Sequence, residues 1–256
     1  MNPLNQEQIE RCLQALRTYL SNDEAVELDE DLDGRRVLII GRVEPLIDAY
    51  LSGKLSVDEF KTQIDSISKT RKGNRDEVGD LWGFKGIKGM MFFNLLHTAC
   101  ELHKITIDKL LKPAVTLPSN REDAFRRMKT FYDKVSEIQG KYEDRRKAPN
   151  PRSIPYFLTY FWQIQDPETW PIQYTSMERA FEMFEVWTNT EDIVADYETF
   201  LDLMNELKDL LSTQAKRPFN LWEVEHVFWY YYNNESYNAP ETDTTLTSKA
   251  EPEPES

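Results

Sequence analysis

RRVLIIGRVEPLIDAYLSG, residues 35 to 53, is where a helical and a mixed reading of this chain part company. Its opening Val37–Ile40 is a continuous aliphatic run, which could open as a buried strand. Apolar residues then recur at Val43, Leu46, Ile47, Tyr50 and Leu51, at intervals of three and four rather than two, and Gly53 supplies a stop. The spacing predicts a helix.

Outward from that stretch, helical periodicity dominates. In LNQEQIERCLQALRTYL, residues 4 to 20, Ile9, Leu13, Leu16 and Leu20 fall on one predicted helix face. The intervening SNDEAVELDEDLDG reads as a loop by its charge density. Ser56 with Glu59, Ser119 with Glu122, and Asn220 with Glu223 each place a capping oxygen three residues before a carboxylate that can reach back to it. Helices are expected over 56–69, 89–103, 119–143, 153–164, 176–188, 191–212 and 220–232. Punctuation comes from Pro113, Pro118, Pro149, Pro151, Pro155, Pro167, Pro171 and Pro218.

The expected fold class is therefore all-α, an irregular multi-helix bundle in two lobes with a disordered acidic C-terminal tail. The prolines of KAPNPRSIP suggest a division there, because each ring forces extended geometry on the residue before it. This gives an N-terminal lobe over 1–148 with a glycine turn and a basic middle, an aromatic-rich lobe over 149–235, and a tail over 236–256. The tail is acidic and poor in aliphatic residues, so it has little to bury against its ordering entropy.

With 256 residues, 40% of them hydrophobic, the chain can bury a real core. A net charge of -14 opposes indiscriminate binding to nucleic acid or anionic membrane. That average conceals a polarity, since residues 69–152 hold 19 Lys and Arg against 11 Asp and Glu. Two cysteines, Cys12 and Cys100, make neither a disulfide framework nor a four-cysteine zinc site, and no apolar run reaches the length of a membrane span. A cytoplasmic location without membrane contact is expected.

Three stretches invite a functional reading. LWGFKGIKGMMFFNLLH, residues 81 to 97, carries Gly83, Gly86 and Gly89 with Lys85 and Lys88 between them, ahead of a helix. Backbone N–H groups at such a mouth could cradle a phosphate, although the spacing matches neither the Walker nor the dinucleotide pattern. Alternatively the glycines make a tight corner that brings Phe84 and Ile87 against a neighbouring helix. HTACELH brings together His97, Cys100, Glu101 and His103, which match no established zinc pattern even with His226 added. Neither metal nor cofactor is expected. Between Tyr156 and Tyr232 lie 19 aromatic residues, and most, such as Phe157, Tyr160, Phe161, Phe181, Phe184 and Trp187, repeat at core spacing. Trp170, Tyr174 and the run Phe228–Tyr232 are candidates for an exposed platform that stacks bases.

No complete catalytic signature is present. A nuclease of the PD-(D/E)xK type would draw on Asp31, Asp33 and Glu44, but Pro45 and Leu46 stand where that motif continues to lysine. Three histidines leave the usual general base scarce.

Two of these stretches carry a family resemblance. Gly86, Gly89, Phe92, Phe93 and Asn94, followed by Pro167, Glu168, Trp170, Pro171, Ile172, Thr175 and Ser176, resemble the region ahead of the motor in prokaryotic defence proteins related to the McrB restriction GTPase. The resemblance covers patches between Leu81 and Tyr232. It implies a non-enzymatic nucleic-acid-recognition or adaptor subunit, working on DNA or RNA beside a separate ATPase or nuclease chain, because this chain has no Walker motif of its own. Gly83, Lys85, Gly86, Lys88, Gly89, Arg126, Arg127, Arg145 and Arg146 would then meet phosphate, and Trp170 and Tyr174 a base. The alternative is a protein-interaction or regulatory subunit that binds no nucleic acid, with a metal-dependent hydrolase or nuclease behind both.

Overall fold

The computed structural model describes residues 3–68, 84 and 86–238. Among them lie ten α-helices and no strand: α1 Gln6–Leu20, α2 Asp23–Leu51, α3 Val57–Ser68, α4 Phe92–Leu102, α5 Ile107–Val115, α6 Arg121–Gln139, α7 Ile154–Gln165, α8 Thr175–Met183, α9 Ile193–Ala215 and α10 Leu221–Asn238. The all-helical expectation holds. None of these helices is long and apolar enough to cross a membrane.

Residues 35 to 51 are helical, with Ser52 as the cap and Gly53 as the stop at a positive φ, and the acidic stretch from Asp23 belongs to the same helix. Asn22 caps α2 by accepting from the N–H of Ala25, and Asp23 and Glu24 sit at the positive end of the helix dipole. The expected loop was an error of physics rather than of charge counting. One turn on, Asp31 meets Arg35 and Asp33 meets Arg36, so the charges pair along the helix instead of repelling its formation.

Local caps behave as their chemistry dictates. Ser56 and Glu59 exchange bonds of 2.8 and 3.2 Å, and Asn220 and Glu223 bonds of 2.8 and 2.9 Å. At α6 the box slips by one residue: Asn120, not Ser119, accepts from the N–H of Asp123, while the Ser119 N–H donates to the Asp123 carboxylate. The inward face of α1 is rotated from the expected one, burying Cys12, Ala15, Leu16 and Tyr19 and leaving Leu20 exposed. Tyr19 is drawn in by its edge-on contact with Tyr230 of α10. Helix α5 was not expected, because only nine residues separate its cap from Thr116 and Pro113 interrupts them. Helix α8 ends at Met183 rather than 188, where Glu185 takes a positive φ of 58°. Helix α10 continues to Asn238, past the expected start of the tail at Ser236. The rest of the expected tail lies outside the described residues.

Helix α7 is the centre of the molecule. Every residue from Ile154 to Ile164 is buried, and Phe157 and Phe161 meet Phe84, Phe92, Phe93, Phe131 and Phe60. The indole of Trp162 donates to the Ala114 carbonyl at 2.9 Å, which anchors α5 to α7. Buried side chains from both expected lobes belong to one continuous core, so the proline-rich stretch near residue 148 is a pair of 3-10 turns, Arg145–Lys147 and Pro151–Ser153, set against that core.

Candidate binding groove

Helices α5 and α6 lie side by side, joined by Thr116–Asn120, and a groove of about 480 Å³ runs between them. Its apolar surface comes from Ile105, Leu110, Pro113, Ala114, Phe131 and Ile138. Around this run Lys109, Arg126, Arg127, Lys134 and Lys141, opposed by the single carboxylate of Glu137. Glu137 engages Lys134 at 3.2 Å and Lys141 at 4.0 Å, leaving the rim with a clear positive excess.

Asp123 organises one wall. Its buried carboxylate accepts from the Ser119 N–H at 3.0 Å, from Arg127 at 2.9 Å, and from Arg126. Those contacts, the backbone donor first, hold its carboxyl down at about 2. Arg127 also donates to the carbonyls of Pro113 and Thr116 at 2.6 and 3.3 Å, satisfying the last turn of α5. Arg127 is thus half structural, whereas the Arg126 side chain is 72% exposed and projects over the groove. The Thr130 hydroxyl bonds back to the Arg126 carbonyl at 2.8 Å. What the groove offers a ligand is positive charge over apolar surface.

Of the residues expected to meet an anion, this groove collects Arg126 and Arg127 only. Arg145 and Arg146 are exposed on the 3-10 turn beyond α6, with Arg146 held by Asp144 at 3.0 Å. Gly83 and Lys85 lie outside the described residues. Gly86 and Gly89 form a tight corner, in which the N–H groups of Met90 and Met91 donate to the carbonyls of Phe84 and Gly86 at 2.9 and 3.0 Å. They do so in a π-helical turn, Ile87–Met91, that runs straight into α4. A Cβ on Gly89 would stand 2.1 Å from the Phe84 carbonyl oxygen, and Phe84 packs on Tyr160 of α7, while Ile87 points to solvent. Lys88 turns to Glu178 at 3.5 Å.

The residues of the expected aromatic platform are split between core and surface. Trp170 is only 2% exposed and lies edge-on to Trp162, with ring centres 5.6 Å apart, and the Tyr174 hydroxyl is buried beside Tyr156. Trp170 is closed to a base, whereas Tyr174 is half-buried and lines a small pocket with Arg36, Ser176 and Trp229. Of the run Phe228–Tyr232, Trp229 is the most exposed side chain.

His97 bridges Asp58 at 2.7 Å and Glu101 at 3.7 Å, Cys100 is buried, and the His103 ring sits against Tyr142. Among the described residues no three His, Cys, Asp or Glu side chains are placed to hold a metal. His226 lies far along the chain from them, between Asp33 at 2.8 Å and Asp29 at 3.4 Å, where α10 meets α2. Asp31, Asp33 and Glu44 stand on helix α2, not on the strand that the nuclease reading required.

Sequence reasoning missed Lys109, Lys134 and Lys141. A signal for the last two was present: Arg127, Lys134 and Lys141 are spaced by seven, as are Phe131 and Ile138, so one face of α6 carries a cationic row beside an apolar one. Comparisons with protein families, with curated proteins and with solved structures find no match to this chain.

Proposed function

We propose that the protein is a non-enzymatic adaptor whose α5–α6 groove captures an acidic, amphipathic segment of a partner protein. The observation that carries this reading is the pairing of an apolar, mainly aliphatic floor with five cations on its rim. An amphipathic helix laid in such a groove buries its apolar side on Leu110, Pro113 and Ile138 and sets its carboxylates against Lys109, Arg126, Lys134 and Lys141. The one aromatic ring of the floor, Phe131, is buried, and the aliphatic remainder suits that ligand better than a nucleobase, which stacks on open aromatic faces. The resemblance to defence proteins supplies a setting, with the captured segment belonging to a separate ATPase or nuclease chain.

A second reading, contact with the phosphate backbone of DNA or RNA, is favoured by the exposed cluster Arg145, Arg146 and Lys147. One experiment separates the two. The full chain is titrated with a labelled amphipathic helix bearing Glu on one face and Leu on the other, and separately with a single-stranded oligonucleotide, at several salt concentrations. Peptide binding that weakens about tenfold in Leu110→Asp and in Lys134→Glu supports the adaptor. Oligonucleotide binding that falls linearly in log salt and is lost in the Arg145→Ala, Arg146→Ala double variant supports the second reading. Binding of neither probe removes the groove from the account.

A further inference from the structure

The segment that follows α10 is the chemical counterpart of the α5–α6 groove. Residues 239–256 carry Glu241, Asp243, Glu251, Glu253 and Glu255 against the single cation Lys249. The groove has the opposite excess, its rim cations opposed by Glu137 alone. Both sides also bring apolar matter, Leu246, Pro252 and Pro254 in the segment and Leu110, Pro113 and Ile138 in the groove. Charge by itself would equally draw the segment to Arg145, Arg146 and Lys147, which are exposed. The groove adds to charge a floor on which proline rings can lie.

Spacing agrees as well as sign. In Glu251-Pro252-Glu253-Pro254-Glu255 each ring forces extended geometry on the glutamate before it. At about 3.1 Å per residue, such a run sets Glu251 and Glu255 about 12 Å apart. Arg126 and Lys134 both line the groove and stand eight residues apart on α6, which at about 1.5 Å per residue is also about 12 Å. The run can therefore lie along α6 with a carboxylate at each cation and its prolines toward the floor. A segment already restricted by its rings loses less freedom on docking.

The tether is long enough. Six ring contacts of 5.1 to 6.4 Å lead from Tyr231 in α10 through Phe184, Phe228, Phe181, Phe200 and Tyr197 to Phe125, the neighbour of Arg126. The 13 residues from Asn238 to Glu251 reach about 43 Å when extended, farther than that path through the molecule. We propose that residues 239–256 fold back on their own chain, with Glu251 against Arg126 and Glu255 against Lys134, and cover the groove until a partner segment displaces them. This autoinhibition rests on the reading of the groove as a receptor for acidic segments. A tethered competitor acts at an effective concentration set by its tether, so individually weak ion pairs suffice to hold it there.

The placement is tested on the full chain with a water-soluble carbodiimide, which joins a carboxylate to an amine in contact with it. The expected product has the mass of one chain, carries Glu253 or Glu255 joined to Lys134 or Lys109, and is lost at high salt. Absent links, links spread over Lys147 and Lys216, or links formed only between two chains overturn the inference. The consequence is read by titrating the labelled Glu/Leu helix into the full chain and into the triple variant Glu251→Gln, Glu253→Gln, Glu255→Gln. Helix affinity should rise about tenfold in the variant. Equal affinity in the two forms overturns the autoinhibition and leaves the adaptor reading standing. Helix binding by neither form, with the links to groove lysines retained, removes the partner helix and keeps the tail in the groove.

Discussion

Arg127 donates to the carbonyl oxygen of Pro113 at 2.6 Å, so a side chain of α6 closes the last turn of α5. The two walls of the groove are thereby held in register by the same cation that lines it. Its neighbour Arg126, also on Asp123, makes no such tie across the groove.

That difference predicts a split between two adjacent arginines. Arg127→Ala removes charge-assisted bonds to Pro113, Thr116 and Asp123, and should lower the unfolding free energy by about 1.5–3 kcal/mol. Arg126→Ala removes a largely exposed contact and should change stability by less than about 0.5 kcal/mol. Urea unfolding of the two variants measures the split; equal losses would show that Arg127 does not brace the groove.

Asp123 predicts a pH dependence. Ser119, Arg127 and Arg126 hold its folded carboxyl at about 2, against 3.8 for an ordinary aspartate. A lowered folded value means that its stabilisation is complete above the unfolded value and is lost as pH falls toward the folded one. The stability gap between the native chain and Asp123→Asn should therefore be constant at neutral pH and narrow as the pH falls from 3.8 toward about 2. Denaturant midpoints across that range measure it, and a gap unchanged by acid would contradict the assigned network.

The glycine corner predicts a sharp intolerance. In Gly89→Ala the new methyl group would meet the backbone carbonyl of Phe84 at 2.1 Å, and backbone cannot swing aside as a side chain can. A loss of about 1–3 kcal/mol or more is expected from that overpacking, read as a fall in melting temperature. Retained stability would mean that the turn can open without disturbing Phe84.

Where α2 meets α10, Arg36 is buried with Glu225 at 3.0 Å and Asp33 at 3.3 Å. Burial pushes the Glu225 carboxyl upward, and Arg36 opposes that rise. Arg36→Met leaves a buried carboxylate without its cation and should cost about 3–5 kcal/mol, whereas Arg36→Met combined with Glu225→Gln should recover part of the loss. Chemical denaturation of the single and double variants checks both halves. A double variant less stable than the single would show that Glu225 does not depend on Arg36.

Residues 35 to 53 illustrate where reading the chain succeeded and where it stopped. Helix was legible there, as were the caps at Ser56 and Asn220, because periodicity and capping are contacts between residues three or four apart. The acidic opening of α2 was misread when its carboxylates were counted without asking which cation stood one turn away. Facing is another matter. Which side of α2 Val37 and Leu38 occupy depends on where α3, α7 and α10 lie, and no local spacing encodes that. The same holds for Trp170, closed over by Trp162, and for Lys88, turned to Glu178 some ninety positions on. The groove is the extreme case. Arg126 and Arg127 were visible as basic residues, but Lys109 and Leu110 come to them only because Trp162 and Arg127 clamp α5 in place through bonds to main-chain carbonyls. Short-range physics wrote the helices into the amino-acid sequence, and long-range packing chose which of their faces meet one another and which remain open to a partner.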